Sequence, residues 1–249
     1  MKRSIFLMFL CFIIFTGCVV TRPDIPKYKV LNSDRIGYLV DIKNKNIEHN
    51  HLGTTVFNNF EKSYSYDWKI KEQIEEELKS QINVKLVNLD QENISLESLN
   101  NLIIANEKEW IINKQNIYDK LVNDLKLKAV IVINDSNVSL YLHPFLYTNK
   151  GSGLVSHHFI GFKKYFSVLG VDAKMYLLNP LGEIKYKNFP TFNMVYLSGL
   201  SSINEKVGFE VPNDIENITE KEFEPIKKDN SLLIKAMVGV INQSIISGE

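Results

Sequence analysis

Ala129-Val130-Ile131-Val132-Ile133 is the stretch from which the fold can be read. Four of its five residues are β-branched, which favours an extended backbone. The run shows no apolar–polar alternation, so both faces of the strand are expected to be covered. Upstream of it, strand-like and helix-like segments alternate. Ile36-Gly37-Tyr38-Leu39-Val40-Asp41-Ile42 reads as a buried strand, and Thr54 to Phe60 as a second candidate. Asp67 stands at an N-cap position ahead of Ile70, Ile74 and Leu78. Their i, i+4 spacing predicts an amphipathic helix, with Glu75-Glu76-Glu77 on its solvated face. Val84 to Leu89 returns as a strand, and Ser95 is expected to cap a helix running through Ala105. Trp110, Ile117, Tyr118, Leu121, Val122 and Leu125 mark the apolar stripe of a further helix of about 16 residues. Trp68 and Trp110 are assigned to apolar helix faces, as core or interface side chains.

Downstream of the central run the pattern becomes strand after strand. Val138 to Tyr147 is one; Phe166 to Leu178 is another, broadly alternating. Asn179-Pro180-Leu181-Gly182 suits a type I turn, with Pro second and Gly fourth. Glu183 to Phe189 then runs back as the hairpin partner, and Ser231 opens a final helix carrying Leu232, Leu233, Ala236, Met237, Val240 and Ile241. The expected class is α+β: one mixed β-sheet with helices largely on one face, strand/helix alternation in the first half and antiparallel strands in the second. Residues 35–249 are expected to form a single domain.

The chain has 249 residues, 45% of them apolar, and 29 basic against 29 acidic residues. Zero net charge supplies no global field to draw in nucleic acid. Only Arg3, Arg22 and Arg35 are arginines, and bidentate readout of phosphate or guanine is usually arginine work. A nucleic-acid partner is therefore not expected.

The first residues carry a processing signal. Lys2-Arg3 forms a basic start, Ile5 to Phe15 is an apolar run of 11 residues, and Thr16-Gly17-Cys18 follows. That order fits a secretory signal peptide. Eleven helical residues span roughly 16 Å, about half the hydrocarbon core of a bilayer. Phe15-Thr16-Gly17-Cys18 resembles the bacterial lipobox, whose usual form is Leu-(Ala/Ser/Thr)-(Gly/Ala)-Cys; Phe15 stands where Leu is usual. The resemblance implies that residues 1–17 are removed by cleavage between Gly17 and Cys18. It implies further that the Cys18 sulfur carries a diacylglycerol and that its new amino group is acylated in many bacteria. Two or three acyl chains give stable anchoring where one would be marginal. Val19, rather than Asp, follows the cysteine. In a cell with two membranes this implies the outer membrane.

Cleavage would leave 27 basic and 29 acidic residues, with Cys18 the only cysteine. A lipidated Cys18 leaves no thiol for disulfides, thiol catalysis or cysteine-ligated metal. Residues 18–34, with Pro23 and Pro26, read as an extended tether reaching about 50 Å at most. A second resemblance lies in Val171-Asp172-Ala173-Lys174-Met175-Tyr176-Leu177-Leu178-Asn179-Pro180-Leu181-Gly182-Glu183-Ile184. It is similar to a hairpin of bacterial envelope lipoproteins such as penicillin-binding-protein activators and the curli-secretion channel subunit. It carries over no functional residue.

Few residues offer chemistry. His49 and His51, one residue apart, would share one face of a strand and could form a two-ligand edge. Their polar surroundings and the missing third ligand favour a loop or a structural hydrogen-bonding role, so no metal is assigned. His157 and His158 are adjacent and would face opposite ways, and His143 precedes Pro144 at a strand end. Gly151-Ser152-Gly153 lacks the spacing of a nucleophile elbow, and its glycines are read as a flexible loop. Gly37 stands alone, without a phosphate-binding loop. Asp135 and Ser136 follow the central strand at the end where α/β sheets hold ligands, although any turn looks alike. No cofactor or catalytic residue is assigned.

The leading expectation is a lipid-anchored envelope protein that binds or assembles another envelope protein without catalysis. An envelope hydrolase is the first alternative. A subunit of a multimeric outer-membrane channel is the second, with Thr191 to Pro212 as the stretch able to hold two strands. Its Ser198, Ser201, Ser202, Asn204, Glu205 and Lys206 make a surface hairpin or loop the better reading.

Overall fold

The computed structural model describes residues 27–43, 46–52, 59–107, 109–142, 145–159, 162–186, 192–195 and 220–248. Its central strand, β8 (Leu127–Asp135), explains the missing alternation. Ala129, Ile131 and Ile133 enter one apolar core, while Val130 and Val132 enter a second on the other face. Every side chain from Ala129 to Ile133 is therefore buried.

β8 is the middle of a mixed five-stranded sheet ordered β14-β13-β8-β2-β5. β2 (Arg35–Asp41) and β5 (Lys85–Asn88) run parallel to their neighbours. β13 (Val171–Leu178) and β14 (Leu181–Tyr186) are antiparallel. The first core lies under α1 (Ile70–Gln81) and α4 (Glu220–Ser244). Ile70, Ile74 and Leu78 of α1 are buried there, as their spacing predicts, against Leu233, Ile234, Met237, Val238 and Ile241 of α4. The second core is closed by short elements. These are α2 (Leu96–Leu99), the β6–β7 ribbon (Ile103–Ala105 and Trp110–Ile112), and α3 (Gln115–Asp119), which runs on into a π turn at Lys120–Asp124.

The class is α+β, and the alternating first half and antiparallel second half hold. Among the described residues, however, the strands form two five-stranded sheets rather than one, with three two-stranded pairs beside them. The second sheet is ordered β15-β12-β11-β3-β4. It is built from β3 (Asn46–Leu52), β4 (Phe60–Ser65), β11 (Gly153–Phe159), β12 (Phe162–Val168) and β15 (Phe192–Val195). The stretch Phe166–Leu178 therefore holds the end of β12 and the whole of β13, in different sheets. The chain crosses between them at Leu169-Gly170.

That crossing also corrects the reading of Gly151-Ser152-Gly153. All three residues are buried. Gly151 has φ 75°, and a Cβ on Gly170 would overlap the Gly151 carbonyl. A Cβ on Gly153 would overlap the Glu48 carbonyl. The Ser152 hydroxyl accepts the Gly170 N–H at 2.9 Å. Two backbones pass so closely here that glycine is needed for space.

Other expectations shift for local reasons. Val138–Tyr147 divides into β9 (Asn137–Leu142) and β10 (Phe145–Lys150), an antiparallel pair. Ser95 does cap a helix, accepting the Ser98 N–H at 3.3 Å, but that helix ends at Leu99. Trp110 lies on β7, so the helix carrying Ile117, Tyr118 and Leu121 starts only at Gln115. Asp67 is not the N-cap of α1. Lys69 is, at φ 55°, and Asp67 accepts its N–H at 3.2 Å while Trp68 is buried. The β13–β14 turn is centred on Asn179-Pro180, whose peptide is cis, because Leu178 pairs with Leu181. α4 starts eleven residues ahead of Ser231, in a stretch whose charged residues hide the helix from an apolar-stripe reading. Tyr28–Leu31, inside the stretch expected as tether, forms β1 and pairs in parallel with β16 (Ile245–Gly248). Of the strand candidate Thr54–Phe60, only Asn59 and Phe60 fall among the described residues.

Candidate functional site

β3 brings His49 and His51 to one face of the second sheet, the geometry their spacing predicts for a strand. The adjoining parallel strand β11 sets Ser156 opposite His51. Both rings meet the same hydroxyl: His49 Nε2 lies 2.8 Å and His51 Nδ1 2.7 Å from Ser156 Oγ. A hydroxyl donates once, so it donates to one ring and accepts from the other if each histidine is neutral. Tyr64 on β4 stands beside His49, with ring centroids 6.5 Å apart.

His49 is 4% exposed and Ser156 2% exposed. Burial holds the His49 pKa down at about 4, helped by the neighbouring His51 and then by Lys62. His49 is consequently a neutral imidazole near pH 7. A neutral imidazole on a serine hydroxyl has the spacing of a base and its nucleophile. Here, however, the hydroxyl is engaged by two rings and closed off from solvent. The arrangement ties β3 to β11 and admits no substrate carbonyl without rearrangement.

On the opposite face of β3, the Asn50 amide donates to Asn149 Oδ1 at 2.6 Å, and Asn149 donates to the Gly151 carbonyl at 2.8 Å. The histidine face and the glycine crossing are thus joined through one strand. Ser156 is the residue that sequence reasoning missed. Its partners lie 105 and 107 residues away, and only the β3–β11 register brings them together.

The remaining candidates separate. Asp135 Oδ2 accepts the Lys43 N–H at 2.8 Å, fastening the start of the β2–β3 connection. Ser136 donates its N–H to the Gly170 carbonyl at 3.0 Å. Each holds a different connection between the two sheets, Asp135 that of β2 to β3 and Ser136 that of β12 to β13. His143 lies outside the described residues. His157 and His158 occupy consecutive positions on β11, and their side chains are not among those described. Cys18 and Gly17 also lie outside the described residues. Of Thr191–Pro212, Phe192–Val195 form β15 against β12, and the rest lies outside them.

An open groove of about 360 Å³ runs between α1 and the edge strand β5, with Lys79 6.0 Å above the Tyr38 ring. It offers an ammonium and amides rather than an acid–base pair. Among the described residues, no group of three or more His, Cys, Asp or Glu is arranged to hold a metal ion. No helix among them is long and apolar enough to cross a membrane.

No family model matches the chain. No curated protein matches it either. Among solved structures it is similar to the hypothetical protein CT253 from Chlamydia trachomatis, at 8% identity and a TM-score of 0.39, covering 85% of this chain and 98% of that one.

Proposed function

We propose that the chain is a lipid-anchored envelope protein whose folded part binds or helps to assemble another envelope protein without catalysing a reaction. The observation that carries this is Lys2-Arg3, the apolar run Ile5–Phe15, and Thr16-Gly17-Cys18 in that order. Acylated Cys18 would attach the protein to a membrane, at the periplasmic face of the outer membrane in a cell with two. The closed state of the Ser156 hydroxyl supports a non-catalytic role.

The test is replacement of Cys18 by Ser in cells fed a fatty-acid analogue. Label and membrane retention are both lost in the variant; label that persists contradicts the proposal. Attachment of the native form resists high salt, because acyl burial does not depend on charge.

A hydrolase reading has one observation in its favour, the two imidazole nitrogens at Ser156 Oγ. A fluorophosphonate probe tests it. Covalent modification of Ser156 in the native protein supports that reading, and absence of modification opposes it.

A further inference from the structure

β1 and β16 form a two-stranded parallel ribbon in which Lys29 pairs with Ile246 and Leu31 with Gly248. Its inner side is fastened down. Val30 is fully buried, and the Tyr28 hydroxyl is within hydrogen-bonding distance of two carbonyls, Asn179 at 2.8 Å and Lys128 at 3.1 Å. Its outer side is open and apolar. Leu31 and Ile246 are each 44% exposed, and they are two of the four exposed large apolar side chains among the described residues. Lys29 lies beside them, also exposed. Lys29 is opposite Ile246 and two residues before Leu31 on β1, so the three share one small face and form a patch rather than scattered exposure.

The ribbon's place in the chain identifies what covers that patch. β1 is the first described element after Cys18, and Tyr28 follows the cysteine by ten residues, a reach of about 35 Å at most. Residues 19–29 carry Arg22, Lys27 and Lys29 against the single acid Asp24, a charge suited to anionic headgroups. We propose that the Lys29/Leu31/Ile246 face of the β1–β16 ribbon rests on the bilayer that holds the Cys18 lipid, with Leu31 and Ile246 entering the interface and Lys29 reaching its phosphates. This rests on the lipid-anchor reading and adds an orientation to it. The domain then meets the membrane through the ribbon, which belongs to neither five-stranded sheet.

Fluorescence quenching tests the orientation. Full-length chains with Ile246→Cys, Leu31→Cys or Leu232→Cys are expressed in bacteria, purified from membranes and labelled with an environment-sensitive thiol dye. They are then placed in phosphatidylethanolamine/phosphatidylglycerol vesicles containing spin-labelled lipid. Leu232 is exposed on α4, about 20 Å along the helix from β16. Quenching at positions 246 and 31 exceeds that at 232 by roughly twofold or more, as interfacial burial of 5–10 Å requires. Equal quenching at all three positions, in protein shown by mass to carry lipid, overturns the orientation alone. Dye uptake by the unsubstituted chain at Cys18 exposes a free thiol, which overturns the anchor and the orientation together.

Discussion

His49 Nε2 lies 2.8 Å from Ser156 Oγ, a contact between residues 107 positions apart that exists because β3 and β11 run parallel in register. It joins the two halves of the chain inside the second sheet. Replacing Ser156 by Ala leaves two ring nitrogens facing a methyl group. The expected loss is about 1–3 kcal/mol of folding stability at pH 7.5, the usual cost of stranding buried polar groups. Urea denaturation measures it, and an unchanged midpoint contradicts a structural role for the bridge.

The same contact predicts acid sensitivity. An unfolded histidine titrates near 6.5, while burial, His51 and Lys62 hold the folded His49 pKa at about 4. Between those values the unfolded state binds the extra proton. Stability is therefore complete above pH 6.5 and falls as pH drops toward 4. Between pH 7.5 and pH 5 the loss from this group is on the order of 2 kcal/mol. His49→Gln flattens the decline. Glu75 and Asp229, whose carboxyl pKa values burial pushes up, titrate in both proteins and cancel in the comparison.

The central strand was legible because five apolar residues without alternation have one physical meaning, burial on both faces. α1 was equally legible in Ile70, Ile74 and Leu78. What escaped has two causes. Pairings between distant segments leave no local mark: nothing near Ser156 announces two histidines, and nothing in Tyr28–Leu31 announces β16. Short elements also imitate longer ones. Trp110 continues the apolar stripe of Ile117 and Leu121, yet it pairs with Ala105 in a ribbon. Phe166–Leu178 reads as one strand because Leu169-Gly170 ends β12 while Leu169 keeps the apolar run going.

The crossing at Leu169-Gly170 predicts intolerance of a single methyl group. Gly170→Ala pushes a Cβ into the Gly151 carbonyl, and Gly153→Ala pushes one into the Glu48 carbonyl. Backbone cannot yield as a side-chain end can, so each costs about 3 kcal/mol, the upper end for overpacking. Gly182→Ala is the control, since its Cβ meets only Leu177 side-chain atoms at ordinary distance, the nearest at 3.4 Å. Thermal melting of the three variants checks the order; equal melting temperatures contradict the close-crossing account.

The packing of α1 against α4 predicts a sharp contrast within one turn. Ile74→Ala opens a cavity in a fully buried position and costs about 2–5 kcal/mol. Glu76→Ala, on the solvated face, changes stability by less than about 0.5 kcal/mol. Urea midpoints of the two variants measure the difference.

The proposed attachment to a membrane is tested most directly at the N-terminus of the protein isolated from membranes. Mass spectrometry of the N-terminal proteolytic peptide is predicted to find it beginning at Cys18, with the mass of a diacylglycerol on the residue and of a further acyl group where the host adds one. A peptide beginning elsewhere, or an unmodified Cys18, would contradict the lipid anchor and the membrane orientation built on it.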